Sequence, residues 1–218
     1  SLSKALQGVD ALISTVGGAG IVESQLNLIK AAKAAGVKRF YPSEFGIGLV
    51  GINPNDYVLL PWKQTIRKAV EESGLEYTYV ATGFFNTFAG YVGIDANTGK
   101  ANIVGDGNAR ISFSNYEDVG RFVAESLDLP QTKNATLFID SDVLTFNQLV
   151  KLFEKKYGKK FDVTYTPLEE AKKKNDKSFA TFGLQLQILA AEGKALNATS
   201  HNGLFSFKPT SFEEFLAK

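Results

Sequence analysis

The chain has 218 residues, with 24 basic against 23 acidic side chains and a net charge of +1, so it offers no basic field for nucleic acid and no acidic tail. It has no cysteine and a single histidine, His201, which excludes a disulfide framework, thiolate chemistry and a His-rich metal cluster. Its apolar runs fall well short of a membrane span and no signal-peptide pattern opens it; the length suffices for a full core, and the expectation is a soluble, cytoplasmic protein.

Leu2, Ala5 and Leu6 fall at helical spacing, and Gly8 closes that stretch. Val9 to Val16 then reads as a buried parallel strand, nearly apolar on both faces. After Gly17-Gly18-Ala19-Gly20 a helix is predicted from about Ile21 to Ala35, with Val22, Leu26, Ile29 and Ala32 on one stripe. A short buried strand around Phe40 and Tyr41 is stopped by Pro42, which cannot donate to a ladder. A loop with Gly48, Gly51 and Pro54 follows, then a helix from near Pro61 to Gly74 and a strand over Glu76–Thr82 broken at Gly83. This β-α-β-α-β alternation is half of a doubly wound α/β sheet with parallel strands.

Past Asn86 the character changes. Residues 100–104 and 110–113 flank Asp106-Gly107, which predicts a hairpin turn. Ser114 is expected to cap a helix running to about Leu127. A strand over 136–140, a helix capped by Thr145 and ending near Tyr157, and a strand over 161–165 come next. Helices are predicted near 168–174, 179–192 and 211–216. The lysine-rich runs at 155–160 and 172–177 read as solvated helix surface, and His201, in an Asn-rich segment, as a surface residue.

Four places could carry chemistry. In an open parallel sheet, ligands sit just past the carboxyl ends of the strands, and Pro42, Ser43, Glu44 and Phe45 form such a loop. Ser14, Thr15, Val16, Gly17 and Gly18 form another, where glycines let backbone approach a ligand. That loop has Glu23 where the last glycine of a pyrophosphate fingerprint would fall, so it is not read as the pyrophosphate cradle, and a plain strand-to-helix turn stays open. Lys63 lies in the first turn of the third helix beside an apolar arc of Trp62, Ile66, Ala69 and Val70, with Arg67, Lys68, Glu71 and Glu72 placed on the opposite side. Such a lysine either snorkels or, with a pKa lowered by burial, holds a ligand hydroxyl or donates a proton. Gly83, Phe84, Phe85 and Asn86 follow a further strand end; the alternative for the two phenylalanines is core. Phe88, Tyr91, Phe113, Phe179, Phe182 and His201 could line a pocket, and none is assigned.

The run Gly36-Val37-Lys38-Arg39-Phe40-Tyr41-Pro42-Ser43-Glu44-Phe45-Gly46 resembles a signature of the isoflavone-reductase-like and NmrA-like proteins, a branch of the atypical short-chain dehydrogenases. The resemblance covers the whole chain. It implies a Rossmann-like domain over residues 1–150, with a hairpin insertion near 95–115, and a smaller, mainly helical substrate lobe over 151–218. It implies NADP(H) as cofactor, contacted by Ser14 to Gly18, Pro42 to Phe45, Lys63 and Gly83 to Asn86. A Tyr-x-x-x-Lys pair would need tyrosine at position 59, which is Leu59; the resembling enzymes likewise lack that tyrosine and keep the lysine, which makes Lys63 the catalytic residue by position. The strand ends at Thr15, Ser43 and Thr82 are then expected on one rim with Lys63.

The resemblance also implies about 75–80 residues ahead of Ser1, holding the G-x-G-x-x-G turn and the ribose reader. The lack of any methionine, an initiator included, is what a processed chain or a piece of a longer reading frame would show. Without that segment the expectation is weak or no cofactor binding and an open strand edge that invites self-association; with it, ordinary NADP(H) binding. The leading expectation is an NADPH-dependent reductase of a small, aromatic substrate. Its rivals are a dinucleotide-sensing regulator that contacts a protein partner without catalysis, and a relative that has lost the cofactor. No nucleic acid or membrane partner is expected, and homo-oligomers are compatible with the sequence.

Overall fold

The computed structural model describes residues 1–18, 20–53 and 57–218; the expectations on Ala19 and Pro54 lie outside these residues. The chain divides into two compact units: Ser1–Phe45, Leu59–Ala81 and Val123–Leu137 form the first, and Gly46–Val58, Thr82–Phe122 and Phe138–Lys218 the second.

The first unit opens with a short helix α1 (Leu2–Ala5), followed by β1 (Ala11–Ile13), α2 (Ile21–Ala35), β2 (Arg39–Tyr41), α3 (Leu60–Ser73) and β3 (Glu76–Ala81). β1 pairs in parallel with β2, and β2 in parallel with β3. Strand alternation sends Phe40 to one face of the sheet and Arg39 and Tyr41 to the other. Phe40 joins Ile29 and Ala32 of α2, Ile66 and Val70 of α3, and Val37 in one buried cluster, flanked by Leu12, Leu26 and Leu75. The apolar stripes predicted for both helices therefore face the sheet. Both helices end on glycines at positive φ, Gly36 and Gly74. β1 is shorter and less buried than its apolar sequence suggests: Ile13 is 37% exposed. Strand alternation turns Leu12 into the helix-packed core and Ile13 to the opposite face.

On that opposite face the packing is polar. Arg39 is buried, and its guanidinium donates to the Tyr41 hydroxyl at 3.2 Å, to the Ser126 carbonyl at 3.3 Å and to Thr132 Oγ1 at 3.4 Å. Ser126 ends the helix α4 (Tyr116–Ser126), and β8 (Ala135–Phe138) completes a four-stranded sheet in the order β1-β2-β3-β8.

In the second unit, β4 (Phe84–Phe85), β7 (Ile111–Ser114) and β9 (Asp142–Leu144) form one small sheet, and β5 (Ile94–Asp95), β6 (Lys100–Val104) and β10 (Asp162–Thr166) another. The hairpin expected across Asp106-Gly107 is therefore a correction. β6 pairs in parallel with β10 and antiparallel with β5, whereas β7 pairs with β4 and β9. Adjacent β-prone runs with a turn between them do not fix partners; a five-residue parallel ladder to β10 outweighs the local pairing. A second correction concerns the start of α4: Asn115 Oδ1 accepts from the Asp118 N–H at 2.8 Å, so Asn115 is the cap, and the Ser114 hydroxyl instead donates to the Thr82 carbonyl.

Helices α5 (Phe146–Tyr157), α6 (Leu168–Lys174), α7 (Phe182–Ala191) and α8 (Phe212–Ala217) complete this unit. Thr145 and Gln148 form a reciprocal capping box at α5, and Ser211 and Glu214 another at α8. The lysine-rich runs are solvated and paired: Lys172 with Glu169 and Glu192, Lys174 with Glu170, Lys160 with Glu154. His201 is less peripheral than its sequence context suggests, since its Nδ1 accepts the Phe138 N–H at 2.9 Å.

Candidate functional site

β2 stops at Tyr41, as Pro42 dictates, and the chain leaves the sheet. The loop that follows is fixed from two sides. The Ser43 N–H donates to Oε1 of Gln25 at 2.7 Å, from a side chain fully buried in α2. The Glu44 N–H closes a tight turn onto the Pro42 carbonyl at 2.8 Å. This sends the Glu44 side chain inward, where it is 5% exposed.

Lys63 meets it there. It lies in the first turn of α3, 6% exposed, and its ammonium donates to the backbone carbonyl of Glu44. Its Nζ is 3.5 Å from Glu44 Oε2. Arg67, one turn further along α3, donates Nε to Glu44 Oε1 at 2.9 Å and a terminal nitrogen to Oε2 at 3.1 Å. The guanidinium rests 4.3 Å from the centre of the Tyr79 ring, whose hydroxyl donates to Glu71 at 2.9 Å. Burial pulls the Lys63 pKa below its ordinary value and Arg67 adds to that, while the Glu44 carboxylate opposes both. Burial also raises the Tyr79 phenol, with Glu71 contributing.

Two of these residues escaped the sequence reading. Arg67 was placed away from Lys63, but positions i and i+4 share a helix face, so that spacing alone could have found it. Gln25 carried no signal beyond a polar residue near an apolar stripe.

The loop after β1 begins beside this group, with the Ser14 N–H donating to the Tyr41 carbonyl at 2.8 Å. Ser14 is buried; Thr15, Gly17 and Gly18 are exposed. Among the described residues the Ser14 hydroxyl and Gln25 Nε2, both buried, have no hydrogen-bond partner. The structure thus brings Ser14, Pro42, Ser43, Glu44 and Lys63 together in the first unit.

Gly83, Phe84, Phe85 and Asn86 belong to the second unit. There the Gly46 carbonyl accepts from the Thr82 and Gly83 N–H groups at 2.8 and 3.1 Å. The Phe84 ring is buried edge-on against Phe113, and Phe85 stacks on Tyr116 at 4.3 Å. Asn86 is 2% exposed, and both its carboxamide oxygen and nitrogen are without a partner among the described residues. Of the aromatic residues left unassigned, Phe113 is core and Phe179 is half exposed.

A parallel sheet with helices packed against it, and a buried lysine at the loop past a strand end, define a Rossmann-like α/β protein. The chain belongs to the NmrA-like family, whose model matches residues 1–216. It is 42% identical over 186 residues to the phenylcoumaran benzylic ether reductase PT1 of Pinus taeda, covering 79% of this chain and 59% of that protein. It is 38% identical over 208 residues to eugenol synthase 1 of Petunia hybrida, covering 88% and 64%. Among solved structures, the leucoanthocyanidin reductase–NADPH complex of Vitis vinifera superposes with a TM-score of 0.84 at 26% identity, over 99% of this chain and 77% of that one. An isoflavone reductase structure gives 0.83 at 30% identity, over 99% and 76%. The chain spans 59% and 64% of the length of these two curated relatives.

Proposed function

We propose that this chain is the NADP(H)-linked portion of a reductase that acts on small aromatic compounds, of the kind that its relatives' names describe. The observation that carries this reading is the buried Lys63 ammonium held against Glu44 at a strand-end loop. A lysine has three donors, of which the Glu44 carbonyl takes one.

The residues present fit a dinucleotide. Buried polar groups are ordinarily paired, and the unpaired Ser14 hydroxyl, Gln25 Nε2 and Asn86 carboxamide are what polar ligand atoms would satisfy. Ser14 to Gly18, Pro42 to Phe45 and Lys63, all in the first unit, would contact the cofactor. When bound, NADPH supplies a hydride from nicotinamide C4. Lys63 has two tasks open to it: as an ammonium it donates to a ribose hydroxyl, and with its pKa lowered it gives up a proton to an oxygen that gains charge. Leu59 stands where a Tyr-x-x-x-Lys pair would have its tyrosine. Gln25 keeps the loop in place through the Ser43 N–H, so that the lysine's carbonyl anchor does not shift.

Among the described residues no helix is long and apolar enough to cross a membrane; the proposal takes the protein to be cytoplasmic and its substrate lobe to be residues 151–218. NADPH fluorescence titration of this chain, with turnover on phenylcoumaran benzylic ethers and enones, tests the proposal. Binding and turnover that both fall in Lys63→Ala support it. Turnover unchanged in Lys63→Ala removes the lysine mechanism, and tight binding without turnover on any substrate favours a dinucleotide sensor.

A further inference from the structure

The grip of Arg67 on Glu44 has the geometry of a restraint. Charge-assisted bonds between a nitrogen cation and a carboxylate are about 2.7–2.9 Å long at their strongest. Arg67 comes close to that at both oxygens, 2.9 and 3.1 Å, while Lys63 stands 3.5 Å from the nearer one. The short bond of Lys63 goes to the backbone carbonyl of Glu44. The stronger partner of the carboxylate is therefore the arginine, although the lysine is the more deeply buried cation.

We propose that Arg67 is a positioning residue for Lys63: its fork, closed on both oxygens of Glu44, keeps that carboxylate off the lysine amine. A planar guanidinium can hold two oxygens at once, and an ammonium is a single point charge. The Tyr79 ring, 4.3 Å from the guanidinium and tied through its hydroxyl to Glu71, holds the fork in plane. Released from Arg67, the Glu44 carboxylate needs to move by less than 1 Å to form a full ion pair with Lys63, since 3.5 Å would become about 2.8 Å. That pair would lock the amine in its charged form and occupy a donor meant for a ligand. The groups that bear on the Lys63 charge are Glu44, from the loop after β2, and Arg67, from its own helix. The role rests on the reading of Lys63 as the acting lysine.

The test follows the Lys63 side chain by NMR in this chain labelled with 13C-lysine, its signal assigned by loss in Lys63→Ala. The expected result is a titration midpoint that rises by about one pH unit in Arg67→Met. It should also rise, by less, in Arg67→Lys, which keeps the charge but loses the fork. Glu44→Gln should lower it. A midpoint in Arg67→Lys equal to that of the parent, or a rise in Glu44→Gln, overturns the proposal, and either variant decides it should Arg67→Met not fold. NADPH titration of Lys63→Ala separates this from the functional reading. Lost binding there with no shift in Arg67→Lys overturns the restraint alone. A shift in Arg67→Lys with unchanged NADPH binding and unchanged turnover in Lys63→Ala supports the restraint and removes the functional reading.

Discussion

The hydroxyl of Tyr41 lies 3.0 Å from that of Ser126, 85 positions further along the chain, and the guanidinium of Arg39 reaches both residues. This buried group ties β2 to the end of α4 and to Thr132 on the face away from α2 and α3. Its members are unequal. In Ser126→Ala the Tyr41 hydroxyl keeps Arg39 as a partner, so the cost should be about 1 kcal/mol. Arg39→Met takes the donor from Tyr41, the Ser126 carbonyl and Thr132 together, and should cost about 2–3 kcal/mol. Urea unfolding of both variants checks the order; equal midpoints would show that the arginine contributes no more than the serine.

Gly83 has φ +67°, and a Cβ built there would stand 2.1 Å from the Ser112 carbonyl oxygen. The strand-to-strand turn between β3 and β4 thus needs glycine twice, for its backbone angle and for the approach of β7. Gly83→Ala should destabilise by more than about 2 kcal/mol. Its thermal midpoint should fall well below that of Gly17→Ala, where the added methyl meets nothing.

The order of elements was legible because its signals are local. The Ile29–Ala32 stripe, Pro61 near a helix start, the Thr145 cap and the Pro42 stop each rest on a few neighbouring residues. Pairing was not: nothing within 100–113 says that β6 joins β10, about 60 residues away. Lys63 and the Glu44 loop stood out through the family signature. The partners that give them their environment were harder to see. Arg67 looks like one of several charges on a solvated face until Glu44 turns inward, and Arg39 looks like an exposed cation beside Lys38 until Ser126 and Thr132 fold over it. In each case a distant segment decides whether a charge is buried.

The α5 capping box also makes a clean local prediction. Thr145 Oγ1 accepts the Gln148 N–H at 3.1 Å while Gln148 Oε1 accepts the Thr145 N–H at 2.9 Å. Thr145→Ala should cost about 1 kcal/mol and Thr145→Ser close to nothing. Hydrogen exchange in the first turn of α5 should speed up in the alanine variant alone.

Lys63 makes the last prediction, because a buried amine with a lowered pKa ties stability to pH. Above 10.5, its ordinary value, the amine is neutral whether the chain is folded or not, and burial costs nothing through charge. As the pH falls through 10.5 the unfolded chain takes up the proton first, so the folded state loses stability until its own lower midpoint is passed. Below that midpoint the loss is constant. Lys63→Met removes the titration and leaves the Glu44 carbonyl without its donor at every pH, so only the slope reports on the charge. The stability of Lys63→Met relative to the parent should be greatest near neutral pH and should shrink toward pH 10.5 as the parent recovers. Urea midpoints measured at pH 7 and pH 10 give the comparison. A difference that grows with pH would mean that Glu44 stabilises the ammonium more than burial opposes it, and that Lys63 is no readier than a surface lysine to give up a proton.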